Sequence, residues 1–320
     1  MMPRKRKNKR ELLEGLITLE AKWNYIPASF FTHFSKECHT GRAAINKHID
    51  FFRYTDMDFV KIQFEQSFPK LDFIRRPKDW TAMPRYNSEF FREPIEIVKG
   101  LIKELKKEAI IIQTIYSPYM CAANSTSYEL ITKHVSEKPD LVMKGLAIIR
   151  DSLQCFIDDC VKEGIDGFYF STQGGEHQRF ENKNDFEGYI QPFDLSLLME
   201  IDSKTPFNIL HICDYWLLYD SVDIFTKYPC KIVSCPIALN NGQQVHANEL
   251  YKIFMKPILG GMNRKGAIQT GPIKEIEKDV NKVLARAPDR FILGANCTIA
   301  NANWDYLRSA VFLAHDYRRA

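Results

Sequence analysis

The sequence predicts a (β/α)8 TIM barrel, and three observations carry that prediction. Eight short, apolar, β-rich runs alternate with longer helical patterns along the 320 residues. That alternation continues without a break in composition, as one α/β domain on a parallel sheet requires. Neither a G-x-G-x-x-G after the first strand nor a Walker loop is present, which counts against an open nucleotide-binding sheet. The barrel is expected to occupy residues 24–320, behind a basic tail and lead-in helix at 1–23.

The expected strands, in order, are "IPASFF" (26–31), "DFVKIQF" (58–64), "AIIIQTIY" (109–116) and "DGFYFST" (166–172). "FNILHI" (207–212), "KIVSC" (231–235), "PILGGM" (257–262) and "RFILGA" (290–295) complete the set. Several are nearly continuous hydrophobic runs, as strands covered on both faces should be. Helical patterns at 92–108, 140–164, 271–288 and 303–319 lie between or after them, and Gly164 and Pro288 supply stop signals. Segment 66–90, with its prolines and aromatic rings, reads as an excursion over the barrel mouth.

Composition narrows the function classes. Hydrophobic residues make up 45% and charged residues 26%, an ordinary globular balance. No apolar run approaches the length of a membrane span. The opening "MMPRKRKNKR" is basic, but no apolar stretch with a cleavage site follows, so it does not read as a secretory signal. A cytoplasmic protein is expected. Six of the 44 basic residues sit in residues 1–10, leaving 38 against 40 acidic ones. No basic stripe continues into the fold, so the tail reads as a solvated lead-in to "RELLEGLITLE" and not as a nucleic-acid patch. The eight cysteines include no C-x-x-C pair. Reduced thiols are the expectation, most of them small buried hydrophobes and some of them candidate metal ligands.

In a barrel of this kind, functional residues gather at the C-terminal ends of the strands. His211 and Cys213 end the fifth expected strand, Cys235 ends the sixth, and Cys297 follows the eighth. Residues i and i+2 share a face in a strand, so His211 and Cys213 point the same way. Cysteine sulfur and histidine nitrogen are zinc ligands, and a catalytic zinc keeps three protein ligands and one replaceable position. The H-x-C tripeptide alone is a weak signal; the joint placement at strand ends gives it weight. His211, Cys213 and Cys297 are therefore candidate metal ligands, with Cys235 as a candidate fourth. His33 after the first strand, Glu65 after the second and Tyr116 ending the third are candidate substrate-positioning or proton-moving residues. Gln173 and Glu176, in "STQGGEH" (171–177) with His177, join them. For each, ordinary loop-end hydrogen bonding is the competing reading.

"PFNILHICDYW", "GGMNRKGAIQTGPIKEIEKDV" and "RFILGANCTIANANWDYLRSAV" resemble the uroporphyrinogen decarboxylase superfamily, and "IPASFFTHF", "DFVKIQF" and "IYSPYM" resemble its N-terminal half more loosely. The resemblance implies a (β/α)8 barrel. Within the superfamily, the chain looks most like the zinc-dependent cobalamin:thiol methyltransferases, which carry H-x-C and a distant Cys, matched here by His211, Cys213 and Cys297. That branch implies zinc, a thiol substrate and a corrinoid supplied by a partner protein. The decarboxylase branch, the alternative as a lyase on a tetrapyrrole, uses an arginine-rich segment after the first strand to hold carboxylates. This chain has "FFTHFSKECHTGR" there, with His33 where an arginine would stand and Arg42 as the first arginine. A non-catalytic barrel that binds a corrinoid or a partner is a further alternative. The family also implies a homodimer as one assembly; the charge and apolar patterns, for their part, lead to an expectation of neither nucleic acid nor membrane as a partner.

Overall fold

Seven parallel strands succeed one another in space in the order in which the chain makes them. They are β1 (Phe59–Ile62), β2 (Ile110–Tyr116), β3 (Gly167–Thr172), β4 (Ile209–Ile212), β5 (Ile232–Ser234), β6 (Ile258–Met262) and β7 (Phe291–Ala295). The structure, a computed structural model, describes residues 8–18 and 25–318. Every strand-to-strand step is a parallel crossover, so the sheet curls in one sense as it is built. Helices such as Arg92–Leu105, Pro139–Lys162 and Ile273–Leu284 make the crossovers and cover the outer face.

The first expected strand does not form a ladder. Residues 27–31 run between β7 and β1 and hold to each by a few bonds. Ala28 bridges Leu293 in parallel, and the Ser29 amide donates to the Leu293 carbonyl at 2.9 Å. On the other side the Asp58 amide donates to the Ala28 carbonyl at 3.1 Å. The ladder stops for a chemical reason. Pro27 has no N–H, the Ala28 amide goes to Asp58 Oδ2 at 2.7 Å, and the Phe30 amide goes to Met57 Sδ at 3.1 Å. A Cβ at Gly294 would stand 2.8 Å from the Ser29 carbonyl, so a glycine there permits the close approach. The sheet is thus seven strands and one extended segment, where eight strands were expected.

Side-chain alternation splits the apolar core into two parts. The larger lies between sheet and helices. The smaller lies inside the curl and is built from Phe31, Phe59, Ile110, Ile112, Tyr169, Phe207, Ile209, Ile232, Leu259 and Ile292. Leu13 and Leu16, from helix α1 (Lys9–Thr18), complete it. Helix α1 is tied to residues at the N-terminal ends of the strands. Arg10 Nη2 meets Asp166 Oδ1 at 2.7 Å, Lys9 Nζ meets Asp56 Oδ1 at 2.7 Å, and Arg290 donates to the carbonyls of Leu16 and Ile17 at 2.9 and 2.6 Å. Lys9 and Arg10, expected to be solvated, are therefore fastenings; residues 1–7 of the tail lie outside the described residues.

Segment 66–90 packs along the outer helices. The Trp80 indole is buried and donates to His134 at 3.0 Å, the Leu71 amide reaches the Ser125 carbonyl, and the Tyr86 amide reaches Ser152 Oγ. The expected cover over the mouth is an outer-layer element, because its large ring finds its apolar site against helices Tyr128–Glu137 and Pro139–Lys162. No helix among the described residues is long and apolar enough to cross a membrane.

Candidate functional site

The alternation that puts Ile209 inside the curl also turns His211 and Cys213 inward, while Leu210 and Ile212 join the outer core. Cys297 lies two residues past the end of β7 and comes back over the same space. The donor atoms of His211, Cys213 and Cys297 all lie within 4.8 Å of one another, and all three residues are buried. The two sulfurs are 4.0 Å apart. His211 Nδ1 faces Ser234 Oγ at 3.2 Å, and its ring stacks on Tyr169 with centroids 5.0 Å apart. Its Nε2 is buried and has no hydrogen-bond partner among the described residues within ordinary hydrogen-bond geometry. Gln173 Nε2 stands 3.5 Å from Cys213 Sγ.

Cys235 is not in this group. Ser234 points inward to His211, so the next residue on the strand must point outward, and Cys235 lies in the outer core. The expectation of a fourth cysteine ligand is corrected by that one-residue register.

A buried ion pair braces the two loops that carry the thiols. Arg264 Nη1 donates to Asp214 Oδ1 at 2.7 Å, and Arg264 Nη2 reaches the Tyr215 carbonyl at 3.2 Å. Asn296 Nδ2 donates to Asp214 Oδ2 at 2.8 Å, and its Oδ1 accepts from the Arg264 amide at 2.9 Å. Asp214 follows Cys213 and Asn296 precedes Cys297, so the brace fixes the spacing of the sulfurs.

The thiols titrate apart. The hydrogen bond from Cys213, helped by the His211 and Arg264 charges, holds Cys297 well below the usual thiol range against the effect of burial. Cys213 is pushed well above it by the same bond and by burial. Two buried thiols this close cannot both ionise unless a positive charge joins them.

The group opens into a cavity of about 230 Å3 that His33, Tyr116 and Gln173 also line. Three of the expected positioning residues therefore share it. Glu65 stands behind His33, accepting at 2.9 Å from its Nδ1 side; burial raises its carboxyl, but His33 and His39 bring it below the ordinary value. Glu176 and His177 are turned away. Glu176 is held by Arg179 at 2.8 Å and by the Gly174 amide at 2.6 Å, and His177 faces Asp220 at 2.7 Å. Glu176 answers its own loop and His177 the loop that follows β4, the kind of hydrogen bonding at loop ends that the competing reading expected.

Lys61 was not foreseen. It sits on β1 two residues after Phe59, is 7% exposed, and lines the same cavity. Its Nζ donates to Gln63 Oε1 at 2.6 Å and to Thr114 Oγ1 at 3.2 Å, between the rings of Phe31 (4.6 Å) and Tyr169 (4.7 Å). Burial pulls its pKa down to about 7, against the opposing pull of the thiols and Glu65. The signal was present in "DFVKIQF": a single lysine inside an otherwise buried strand.

A curled parallel sheet with a thiol–imidazole group and a buried lysine toward its C-terminal ends makes this an α/β protein with a polar cluster and a cavity at its strand ends. The particular family follows from the sequence: the model of the uroporphyrinogen decarboxylase (URO-D) family matches residues 54–309, and the chain belongs to that family. No curated protein matches the sequence. In fold the chain is similar to a methyltransferase from Methanosarcina mazei, with a TM-score of 0.73, 14% identity, and coverage of 96% of this chain and 98% of that one. It is similar, more distantly, to a B12-independent methionine synthase from Shewanella sp. W3-18-1, with a TM-score of 0.53, 13% identity, and coverage of 92% and 93%. A putative vitamin-B12 independent methionine synthase from Listeria monocytogenes gives 0.53 at 14% identity, covering 92% and 98%.

Proposed function

We propose that the protein is a zinc-dependent methyltransferase that moves a methyl group from a corrinoid, carried by a partner protein, to a small thiol. In this reading the seven strands and segment 27–31 together are the (β/α)8 barrel of the family. The single observation that carries the reading is the buried trio of His211, Cys213 and Cys297 lining a cavity. Its donors fit zinc: two thiols and an imidazole are the right ligand types and number for an open catalytic site. The partnerless buried Nε2 of His211 fits as well, because leaving such an atom without a partner costs free energy. Three methyltransferases or methionine synthases among the similar folds support the chemistry without fixing it.

His211, Cys213 and Cys297 would hold the ion. Bound there, zinc supplies a positive charge that makes an acceptor thiol a thiolate near neutral pH. Ser234 orients the His211 ring, Gln173 donates toward Cys213, and the Arg264–Asp214–Asn296 brace keeps the sulfurs together. Tyr116 and His33 face the acceptor from the cavity wall, and His33 with Glu65 can take a proton from it. A tetrapyrrole-sized donor cannot enter about 230 Å3, so the methyl group has to be presented from the mouth. Tyr215 and Trp216 line that mouth; Trp216 is 66% exposed, an apolar rim on which a partner could seat.

The test is methylation of a thiol by free methylcobalamin. The zinc-loaded chain should give a thioether and consume methylcobalamin, and Cys297→Ala should do neither. Turnover that is equal with and without the metal, or equal in Cys297→Ala, would refute the reading.

A further inference from the structure

We propose that Lys61 is a nucleophilic amine, and that the cavity it lines takes a small neutral aldehyde as an imine on its Nζ. The proposal goes beyond the transferase reading and needs neither the metal nor a methyl donor.

Hydrogen-bond counting makes the argument. Lys61 Nζ donates to Gln63 Oε1 at 2.6 Å and to Thr114 Oγ1 at 3.2 Å. Both oxygens can only accept there. The Gln63 amide nitrogen donates to the Thr32 carbonyl at 2.7 Å, which fixes Oε1 toward the lysine. The Thr114 hydroxyl gives its own proton to the Ile62 carbonyl at 2.6 Å. An ammonium has three N–H groups; a neutral amine has two and a lone pair. Two acceptors match the neutral amine and leave its lone pair unused, and no third acceptor is bonded to the nitrogen among the described residues.

The surroundings act in the same direction. Lys61 is 7% exposed, and no carboxylate pairs with it among the described residues. Arg264 and Arg179, also deep in the fold, pair with Asp214 and Glu176. A buried cation without a counter-ion is costly, so burial favours the free base. Against this stand the ring faces of Phe31 and Tyr169, at 4.6 and 4.7 Å from Nζ, and the charges of Cys297, Glu65 and Cys213. Burial is the largest of these effects and leaves the amine half free at about pH 7. The four side chains that meet Nζ, those of Gln63, Thr114, Phe31 and Tyr169, all lie outside the thiol–imidazole trio. A lysine desolvated in an apolar pocket is an activated nucleophile toward carbonyl carbon.

The step balances without a further reagent. The Nζ lone pair adds to the carbonyl carbon as the C–O double bond opens, and one proton passes from nitrogen to oxygen. The carbinolamine then loses its hydroxyl and the remaining N–H proton as water, which leaves the imine; nothing is oxidised or reduced. Size agrees. The cavity of about 230 Å3 holds several water volumes of about 30 Å3 each, room for an aldehyde of a few carbon atoms. Tyr116, Met120 and Tyr169 line the wall with apolar surface that suits a short alkyl chain.

The test is reductive alkylation of the full chain by propanal with cyanoborohydride, followed by peptide mapping. Cyanoborohydride delivers hydride to the imine and fixes a propyl group on each lysine that formed one. At pH 7 Lys61 should be alkylated at least about tenfold faster than exposed lysines such as Lys133 and Lys183, which are almost wholly protonated there. From pH 7 to 9 the free-base fraction of an exposed lysine rises about 100-fold and that of Lys61 about twofold, so the advantage of Lys61 should fall roughly 50-fold. Lys61→Met should lose the early alkylation and keep the slow alkylation of exposed lysines. If that variant does not fold, as judged by its circular dichroism, the two wild-type measurements decide the matter alone. Alkylation of Lys61 no faster than that of exposed lysines at pH 7, or an advantage that does not change with pH, overturns the proposal.

Discussion

At the start of β4 the sheet interior receives Ile209; two residues on it receives His211, and two further Cys213. The same step occurs on β1, from Phe59 to Lys61 to Gln63, and on β2, from Ile112 to Thr114 to Tyr116. One set of strands therefore builds a floor of aliphatic and aromatic side chains, sealed by Leu13 and Leu16, and a mouth of thiols, imidazole, amide and ammonium. Burial hardly differs between them: Ile209 is 0% exposed and His211 2%. The chemistry differs completely. Burying the floor removes apolar area from water and stabilises the fold. Burying the mouth strips polar groups of water, and one of them, His211 Nε2, has no partner in return among the described residues. The mouth is the part of the interior whose polar groups keep unused bonding capacity.

Substitutions at the two ends should therefore separate stability from binding. The largest change is expected at the floor. Phe207→Ala should lower unfolding free energy in denaturant by about 3–5 kcal/mol and leave the zinc affinity of the folded protein unaltered. Cys297→Ala should do the reverse. A competition titration against a chelating dye should show zinc affinity reduced by more than about 100-fold, since even outer partners of metal ligands are worth 10–100-fold. Ser234→Ala should fall lower on the same scale, by roughly tenfold, because it removes the group facing His211 Nδ1 but leaves all three donors. Equal losses in all three variants would erase the distinction between floor and mouth.

A separate effect is one of pH. The unfolded chain keeps Lys61 protonated up to about 10.5, whereas the folded chain releases the proton at about 7. Between those values the unfolded state binds more protons, so Lys61 makes stability rise with pH across that window, by at most about 1.4 kcal/mol per pH unit. The full penalty is felt below pH 7. Urea midpoints of metal-free wild type and Lys61→Met, compared at several pH values, should show the variant's advantage shrinking from pH 7 toward 10. A constant difference would mean that Lys61 keeps its proton in the fold.

The contrast also explains what the sequence revealed. Seven strands were legible because each is a run buried on both faces, and the trio was legible because strand ends bring distant residues together. The first strand was not, since its ladder fails through the partners its amides choose, Asp58 and Met57, which no local pattern shows. Cys235 looked equivalent to Cys213, and only the inward turn of Ser234 separates them. Glu176 and His177 share a loop with Gln173, yet loop geometry sends them to Arg179 and Asp220 while Gln173 stays at the thiols. Lys61 left one signal, a lone lysine in an apolar run, but a lysine there ordinarily reads as a surface position, and here it crosses the interior between two rings.

Zinc X-ray absorption on the loaded protein tests the central claim most directly, because it counts the sulfur atoms around the ion. The account predicts two sulfurs, from Cys213 and Cys297, rising to three when 3-mercaptopropionate is added, and fewer than two before addition in Cys297→Ala. A protein that binds no zinc, or one whose sulfur count stays unchanged with a saturating thiol, would contradict it.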